Sequence, residues 1–475
     1  MRNTKWECNF YSFFDHTGIE RHLEKMAAKG WLIEKLGYLW RYRRIEPQDV
    51  RFAVVYYPEA SEFDPDKPSE GELTFWDFCA QAGWVKAVSR AQMNIFYHKD
   101  ANAVPIETDA ALQVETLHRS MKKEPLIASF LLLAVAVWML FDACKSFVTN
   151  FAAAISRTTV LIGLLDWALL LALCALELGG YYLWRRRAKR AAERGVFLPT
   201  RSYPAIQVLA LALVLGGVGI ILCSSDSGGR RVYLLLLAGY ALLNVLIQGI
   251  KALLKRRGGC AGVNKGVTIA VTMMLAFVFT YVLLDKVSDG ELNRVPENAV
   301  PYEVVWSSGE TSRYYAYEDS LPLYVQDLTK TDYDQYSCEL TKHSSLLAAQ
   351  TYGKQEMRMG DGEIDAPELS YCITDVKAAP LFNACLQGEL DYFKNFTVTF
   401  RRTYHPFRNI EFRAVDAAPW GAERAWRAFD AEDGEWGVSW VLTRGTRIVR
   451  VSGSALDGTL NDAQKATVGE KLLGS

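Results

Sequence analysis

Two carboxylates stand where carboxylates are uncommon. Asp166 and Glu177 lie eleven residues apart inside the apolar run VLIGLLDWALLLALCALELGGYYLW (160–184). On a helix that spacing is three turns, so both side chains point the same way. Ionisable groups in such a run face a bundle interior or a watered path, and they can carry protons or cations. Packing, or snorkelling to a nearby end of the run, is the plainer reading of the same residues. A second polar row, Tyr240, Asn244 and Gln248, repeats every four residues in VYLLLLAGYALLNVLIQGI (232–250) and suits hydrogen bonds between helices. Gly216, Gly217 and Gly219 read as places of close helix approach.

Other chemistry has less footing. The chain has no GxSxG, HExxH or CxxC motif and no Cys/His ligand set. His16, His22 and His98 lack ligand spacing, and His343 and His405 have no nucleophile motif beside them. The expectation is a protein that is not an enzyme and takes no metal and no cofactor. Cys338, Cys372 and Cys385 fall in the C-terminal part, where Cys372–Cys385 is a candidate disulfide; buried free thiols are the alternative.

The polar residues at 166, 177, 244 and 248 need a scaffold, and five apolar runs supply it: 126–147, 160–184, 205–223, 232–250 and 267–284. A helix needs roughly 20 such residues to cross a ~30 Å hydrocarbon layer, and only a helix satisfies its own backbone there. Soluble helices carry a polar stripe that these runs mostly lack. Residues 126–284 are therefore expected to form a five-helix transmembrane bundle.

Basic residues orient it. Lys122 and Lys123 precede the first run; Arg185, Arg186, Arg187, Lys189, Arg190 and Arg194 follow the second; Lys251, Lys255, Arg256, Arg257 and Lys265 lie between the fourth and fifth. The alternate connectors hold only Lys145 with Arg157, and Arg230 with Arg231. Positive charge stays on the cytoplasmic side, so the N-terminus is expected inside and the C-terminus outside. The cluster at 185–190 reads as the cytoplasmic stop of the second helix, able to touch anionic lipid headgroups at about 1 kcal/mol per charge. It has no aromatic platform or recognition helix, which excludes a nucleic-acid partner. The opening stretch MRNTKWECNFYSFF has no apolar h-region, so no signal peptide is expected. Lys/Arg and Asp/Glu number 17 and 19 before residue 126, 16 and 5 in the apolar region, and 20 and 30 after it. Three environments follow from that segregation.

The N-terminal part, residues 1–105, repeats itself. MAAKGWLIEKLGYLWRYRR (26–44) and CAQAGWVKAVSRAQMNIFYHK (79–99) each show a helix end, Gly-Trp and two alternating runs. Gly30 and Gly83 sit where helices end in the left-handed conformation. KWECNFYSF (5–13) and RFAVVYY (51–57) supply a strand before each helix, and a polar insert occupies 59–72. The unit is β-α-β-β twice, expected as one ferredoxin-like α+β sheet with both helices on one face. Trp31, Trp40, Trp76 and Trp84 are expected in its core.

These residues carry a resemblance. The pattern from NFYSFFDHTGIERHLEKMAAKGW through RFAVVYY and FCAQAGW to Gln92 resembles the DUF2812 family of bacterial membrane proteins, over about residues 4–123. The resemblance implies membrane helices after the domain and a regulatory setting beside a PadR-like regulator. It assigns no catalytic residue.

Residues 106–125 are expected to be a helical linker, capped by Thr108, with Ala111, Leu112, Val114 and Leu117 on its apolar side and Pro125 at the entry to the first span. Residues 290–475 read as an extracytoplasmic α+β domain. SYCITDVK (370–377) and FTVTFRR (396–402) alternate as strands, Pro380 starts a helix, VSWVLTRGTRIVRVSG (438–453) turns at Arg444-Gly445, and Asn461 with Gln464 opens a last helix. A folded domain on each side of a small bundle suggests a sensor or regulatory interaction protein. Its expected partners are membrane lipid, a cytoplasmic protein and an external ligand or peptide. A transporter using Asp166 and Glu177 is the alternative.

Overall fold

The structure is a computed structural model that describes residues 3–100, 102–225, 227–288, 299–306, 309, 311–358, 366–393, 410–456 and 460–474. It divides into two compact units. One holds residues 1–139, 166–219 and 229–289; the other holds 140–165, 220–228 and 290–475.

The first unit begins with the repeat. β1 (Thr4–Cys8), α1 (His16–Ala28), β2 (Trp31–Lys35) and β3 (Leu39–Arg44) form the first copy; β4 (Arg51–Tyr56), α2 (Glu70–Gln81), β5 (Val85–Arg90) and β6 (Met93–His98) form the second. Gly30 at φ 80° and Gly83 at φ 84° end the two helices as their spacing predicts. Ile19, Leu23 and Met26 of α1 are buried, as are Trp40 and Trp84, whereas Trp31 and Trp76 are only half-buried.

The single ferredoxin-like sheet is not what forms. Each copy makes its own three-stranded antiparallel sheet, ordered β1-β3-β2 and β4-β6-β5. The reason lies at β4. Its free edge is occupied by α1, whose Glu20 accepts from the Val54 amide at 2.9 Å and whose Glu24 accepts from the Phe52 amide at 3.4 Å. Two carboxylates one turn apart thus terminate the ladder. β4 is also buried on both faces: Phe52, Val54 and Tyr56 pack with α1 and the first sheet, and Ala53 and Val55 pack with Cys79, Trp84 and Phe96.

α3 (Ala110–Lys123) follows. Its cap is Asp109 rather than Thr108, with the carboxylate accepting from the Ala111 and Leu112 amides. Its buried face is Val114, Leu117, His118 and Met121, while Ala111 and Leu112 are exposed. Val114, Leu117 and Met121 join the core of the N-terminal domain, so the linker belongs to that domain.

Five helices among the described residues are long and apolar enough to cross a membrane. They are α4 (Pro125–Thr149), α6 (Thr158–Ala192), α7 (Pro204–Ser224), α8 (Ser227–Arg256) and α9 (Ala261–Ser288), with the short α5 (Phe151–Ser156) between the first two. In their most apolar stretches no more than 11% of residues are buried against protein. That much exposed apolar surface fits a lipid surround.

In the second unit, β7 (Ala299–Val305) and β8 (Thr311–Tyr317) pair as a hairpin. β9 (Tyr336–Ser344), β10 (Ala348–Met357), β11 (Leu369–Val376), β12 (Ile410–Val415), β13 (Arg424–Asp430), β14 (Trp436–Arg444) and β15 (Arg447–Ser452) form one antiparallel sheet. Its order is β12-β13-β14-β15-β11-β10-β9. α11 (Asp462–Leu473) covers one face through Val468 and Leu472, against Leu442, Val449 and Val451. α10 (Phe382–Leu390) covers the other, where Cys385 and Leu386 meet Val441 and Ile448. α5 belongs to that second face: Ala152 and Ile155 are buried in the same cluster. The hairpin at Gly445, the helix after Pro380 and the capping box of Asn461 with Gln464 form as expected. FTVTFRR (396–402) and His405 lie outside the described residues.

Candidate functional site

The most elaborate polar arrangement in the first unit is where its N-terminal domain meets the ends of the apolar helices. One seam is made by the loop before α1. Ser12 Oγ donates to Glu177 Oε2 at 2.6 Å, and Gln207 Nε2 donates to Ser12 Oγ at 3.4 Å. Asp15, buried at 2% exposure, caps α1 through the Gly18 amide at 3.0 Å and also accepts from the Ser202 amide at 2.8 Å. Thr17 and Thr200 exchange bonds, each amide donating to the other's hydroxyl, at 3.0 and 3.1 Å. His118 of α3 meets the Tyr181 hydroxyl at 2.7 Å.

Glu177 therefore belongs to a junction. From Thr158 to Glu177 is about twenty residues, or about 30 Å of helix, enough to cross a hydrocarbon layer. Beyond it α6 turns Tyr181, Trp184 and Ala188 into the core of the N-terminal domain. Of the basic cluster, Arg186, Arg187, Lys189 and Arg190 point to the open side of this extension, and Arg185 is half-buried.

The second seam is built by the insert at 59–72. Glu62 accepts from Lys251 of α8 and from Arg90, both at 2.8 Å. Lys251 Nζ also lies 4.7 Å over the Phe63 ring. Asn264 of α9 donates to the Phe63 carbonyl at 2.9 Å, Ser61 donates to Glu124 at 2.9 Å, and Lys123 donates to the Glu59 carbonyl at 2.7 Å. Burial would raise the Glu62 carboxyl, but the bonds and charges of Lys251 and Arg90 hold it below its ordinary value. Nothing in the polar composition of this insert marked it as a dock. The sequence signal was its position, in one copy of the repeat only.

The remaining sequence candidates separate. Asp166 faces α7, where a Cβ on Gly217 would fall 2.5 Å from its carboxylate, so glycine is what leaves room for the acid. Among the described residues Asp166 has no hydrogen-bond or ion-pair partner. Added Cβ atoms at Gly216 and Gly219 would meet nothing within 4 Å, so those two are not close-packing positions. Asn244 donates to the Tyr240 carbonyl of its own helix at 2.9 Å, and Gln248 lines a cavity with Glu62 and Lys251. The polar row of α8 is thus not a network between helices.

A cavity of about 460 Å³ lies beside the first seam, lined by His16, Glu20, Glu24, Arg51 and Glu107 among others. Burial pushes Glu20 up to about 8, partly offset by its bond from the Val54 amide. Burial pushes Glu107 up to about 7 against the bond with Gln113. Burial also pushes His16 down to about 4. The pair of glutamates can bind and release protons near neutrality. No group of three or more His, Cys, Asp or Glu among the described residues is placed to hold a metal.

In the second unit, Arg450 and Glu389 form a 2.7 Å ion pair with side chains 12% and 4% exposed, and Arg450 lies 3.7 Å over the Tyr392 ring. The candidate disulfide is absent: Cys372 and Cys385 are both free. Cys385 is committed to the apolar cluster with α5, while Cys372 bonds with Thr374 and Gln350. Burial pushes their thiols up to about 12 and about 11, which leaves them unreactive.

These elements define a chain with an α/β region, five helices of membrane-crossing length and a β-rich region. Residues 15–131, about a quarter of the chain, match the family model described as a protein of unknown function, DUF2812. That stretch runs from the Asp15 cap through the insert and α3 into α4, so it holds Asp15, Thr17 and His118 of the first seam and the insert of the second, while Ser12 lies just before it. No curated protein and no solved structure matches the chain.

Proposed function

We propose that the protein is a non-enzymatic membrane sensor or regulatory interaction protein. The C-terminal domain lies outside the cell and receives a ligand, a peptide or an envelope state. The N-terminal domain lies in the cytoplasm and binds a protein partner, for which the family resemblance suggests a PadR-like regulator. Five spans are an odd number, which sends the termini to opposite sides, and the basic connectors favour an inner N-terminus. The observation that carries the reading is the double seam. Ser12, Asp15 and Thr17 hold the N-terminal domain to α6 and to the segment leading into α7, and Glu62 holds it to α8. A domain so held registers small shifts of the helices, because packed seams switch between discrete arrangements. The test is to break the seams with Ser12→Ala and Glu62→Gln in the intact chain and measure expression of neighbouring genes. A changed response at unchanged protein level is expected. An unchanged response in both variants defeats the reading.

Transport is a second reading, favoured by the carboxylate of Asp166 within a span. It requires that Asp166→Asn abolish a flux or resistance phenotype without lowering protein level; normal flux removes it.

A further inference from the structure

A groove of about 390 Å³ opens between α4, α6 and α7. Its walls are apolar over most of their length, with Leu132, Leu170, Leu173, Leu211 and Val214 among them. Glu177, Arg201, Ser202 and Gln207 gather at one end with Tyr203, Ser129 lies on α4 one turn from its start, and Phe14 of the N-terminal domain also lines the groove. Along α7 the lining runs from Gln207 to Val214, and along α6 from Leu170 to Glu177, where the crossing part of the helix ends. At 1.5 Å per residue each is about 10 Å, against the ~15 Å of one leaflet in a ~30 Å hydrocarbon layer. The groove thus reaches about two thirds of the way through one leaflet, apolar along its depth and polar at its mouth.

We infer that this groove holds one acyl chain of a membrane phospholipid, with the lipid phosphate at Arg201. Of the two charged groups at the mouth, Glu177 is engaged by the Ser12 hydroxyl at 2.6 Å. Arg201 is exposed, forms no ion pair among the described residues, and stacks over Tyr203 at 5.6 Å. A guanidinium backed by an interfacial aromatic is suited to a phosphate at headgroup level. The elongated apolar trough fits a chain better than a compact solute. The occupant would lie against Phe14, two residues from the Ser12–Glu177 bond. The lipid is then positioned to bias the first seam.

The inference rests on reading the five helices as spans, and the experiment separates the two. The full chain is reconstituted in bilayers containing phosphatidylglycerol with a photoreactive group at mid-chain, irradiated and mapped. Labelling is expected to concentrate on the groove segments around Leu173 and Leu211. It should exceed labelling of the α9 surface around Phe277, which is 73% exposed. Leu173→Trp, which fills the trough, should remove the excess. Arg201→Ala, at an exposed site that threatens no core, should weaken competition by unlabelled phosphatidylglycerol about fivefold, as the loss of one interfacial charge predicts. Unlabelled diacylglycerol with the same chains should compete less well than phosphatidylglycerol. Equal labelling of groove and α9, unaltered by either variant, overturns the site while leaving the spans intact. Absence of labelling on every helix overturns the spans themselves.

Discussion

Burial of single carboxyl groups predicts a pH-dependent stability for the N-terminal domain. Glu20 is raised by burial to about 8 from an ordinary 4.5, so the fold prefers it protonated. The stability that depends on this proton is full below about pH 4.5 and is lost as pH rises through about 8. Glu20→Gln keeps an acceptor for the Val54 amide and cannot ionise. The variant is therefore expected to melt higher than the parent at pH 8.5 and about equally at pH 5, as thermal unfolding in detergent would show. Gly217→Val should cost about 1–3 kcal/mol by overpacking against Asp166, whereas Gly216→Val, with open space, should cost little; the same melts distinguish them. In the second unit, Glu389→Gln leaves Arg450 buried without its counter-charge and should lower stability by about 3–5 kcal/mol. At this scale the sequence was partly legible. Asp166 and Glu177 stood out because they interrupt apolar runs. The partner of Glu177, Ser12, did not, because a serine 165 residues away carries no periodic mark. The Arg450–Glu389 pair was hidden for the same reason.

Elements were more legible than their pairings. Alternation and Gly-Trp repeats marked all six N-terminal strands and both helices, since these signals are local, but the strand expected at 5–13 ends at Cys8 and leaves Ser12 in a loop. The single sheet failed because register and edge use depend on what reaches an edge, and α1 reaches β4 with Glu20 and Glu24. The face of α3 differs from the expected one because Val114, Leu117 and Met121, spaced three and four residues apart, are the side chains that meet the domain core. α5 escaped altogether: six residues between two spans read as a connector. Yet Ile155 is 1% exposed and sits under the sheet. Ile155→Ala is expected to remove about 2–5 kcal/mol from the second unit. Hydrogen exchange should show the loss in β10 and β14 while leaving the strands of the N-terminal domain protected.

Over the whole molecule, composition alone separated a near-neutral head, a basic apolar middle and an acidic tail, and those boundaries follow the chain's change of element type. The boundary at 105 did not hold, because α3 supplies Val114, Leu117 and Met121 to the domain core. The topology reading predicts that protease on intact cells removes a tag after Ser475 and spares one before Met1. Protection of both tags would place both termini inside.

The burial of α5 has a consequence for how the protein is made. The second face of the sheet needs Ala152 and Ile155 alongside Val441 and Ile448, and Ser345 Oγ donates to the Ile155 carbonyl. α5 leaves the ribosome long before β14 and β15 exist, so the C-terminal unit cannot close until nearly the whole chain has been synthesised. It must then recover a piece laid down between the first two spans. Cutting the chain after its last span would discard that piece. Such a fragment should emerge with an uncovered apolar face and aggregate. A genetic exchange of this domain between proteins would have to carry the first inter-span connector with it.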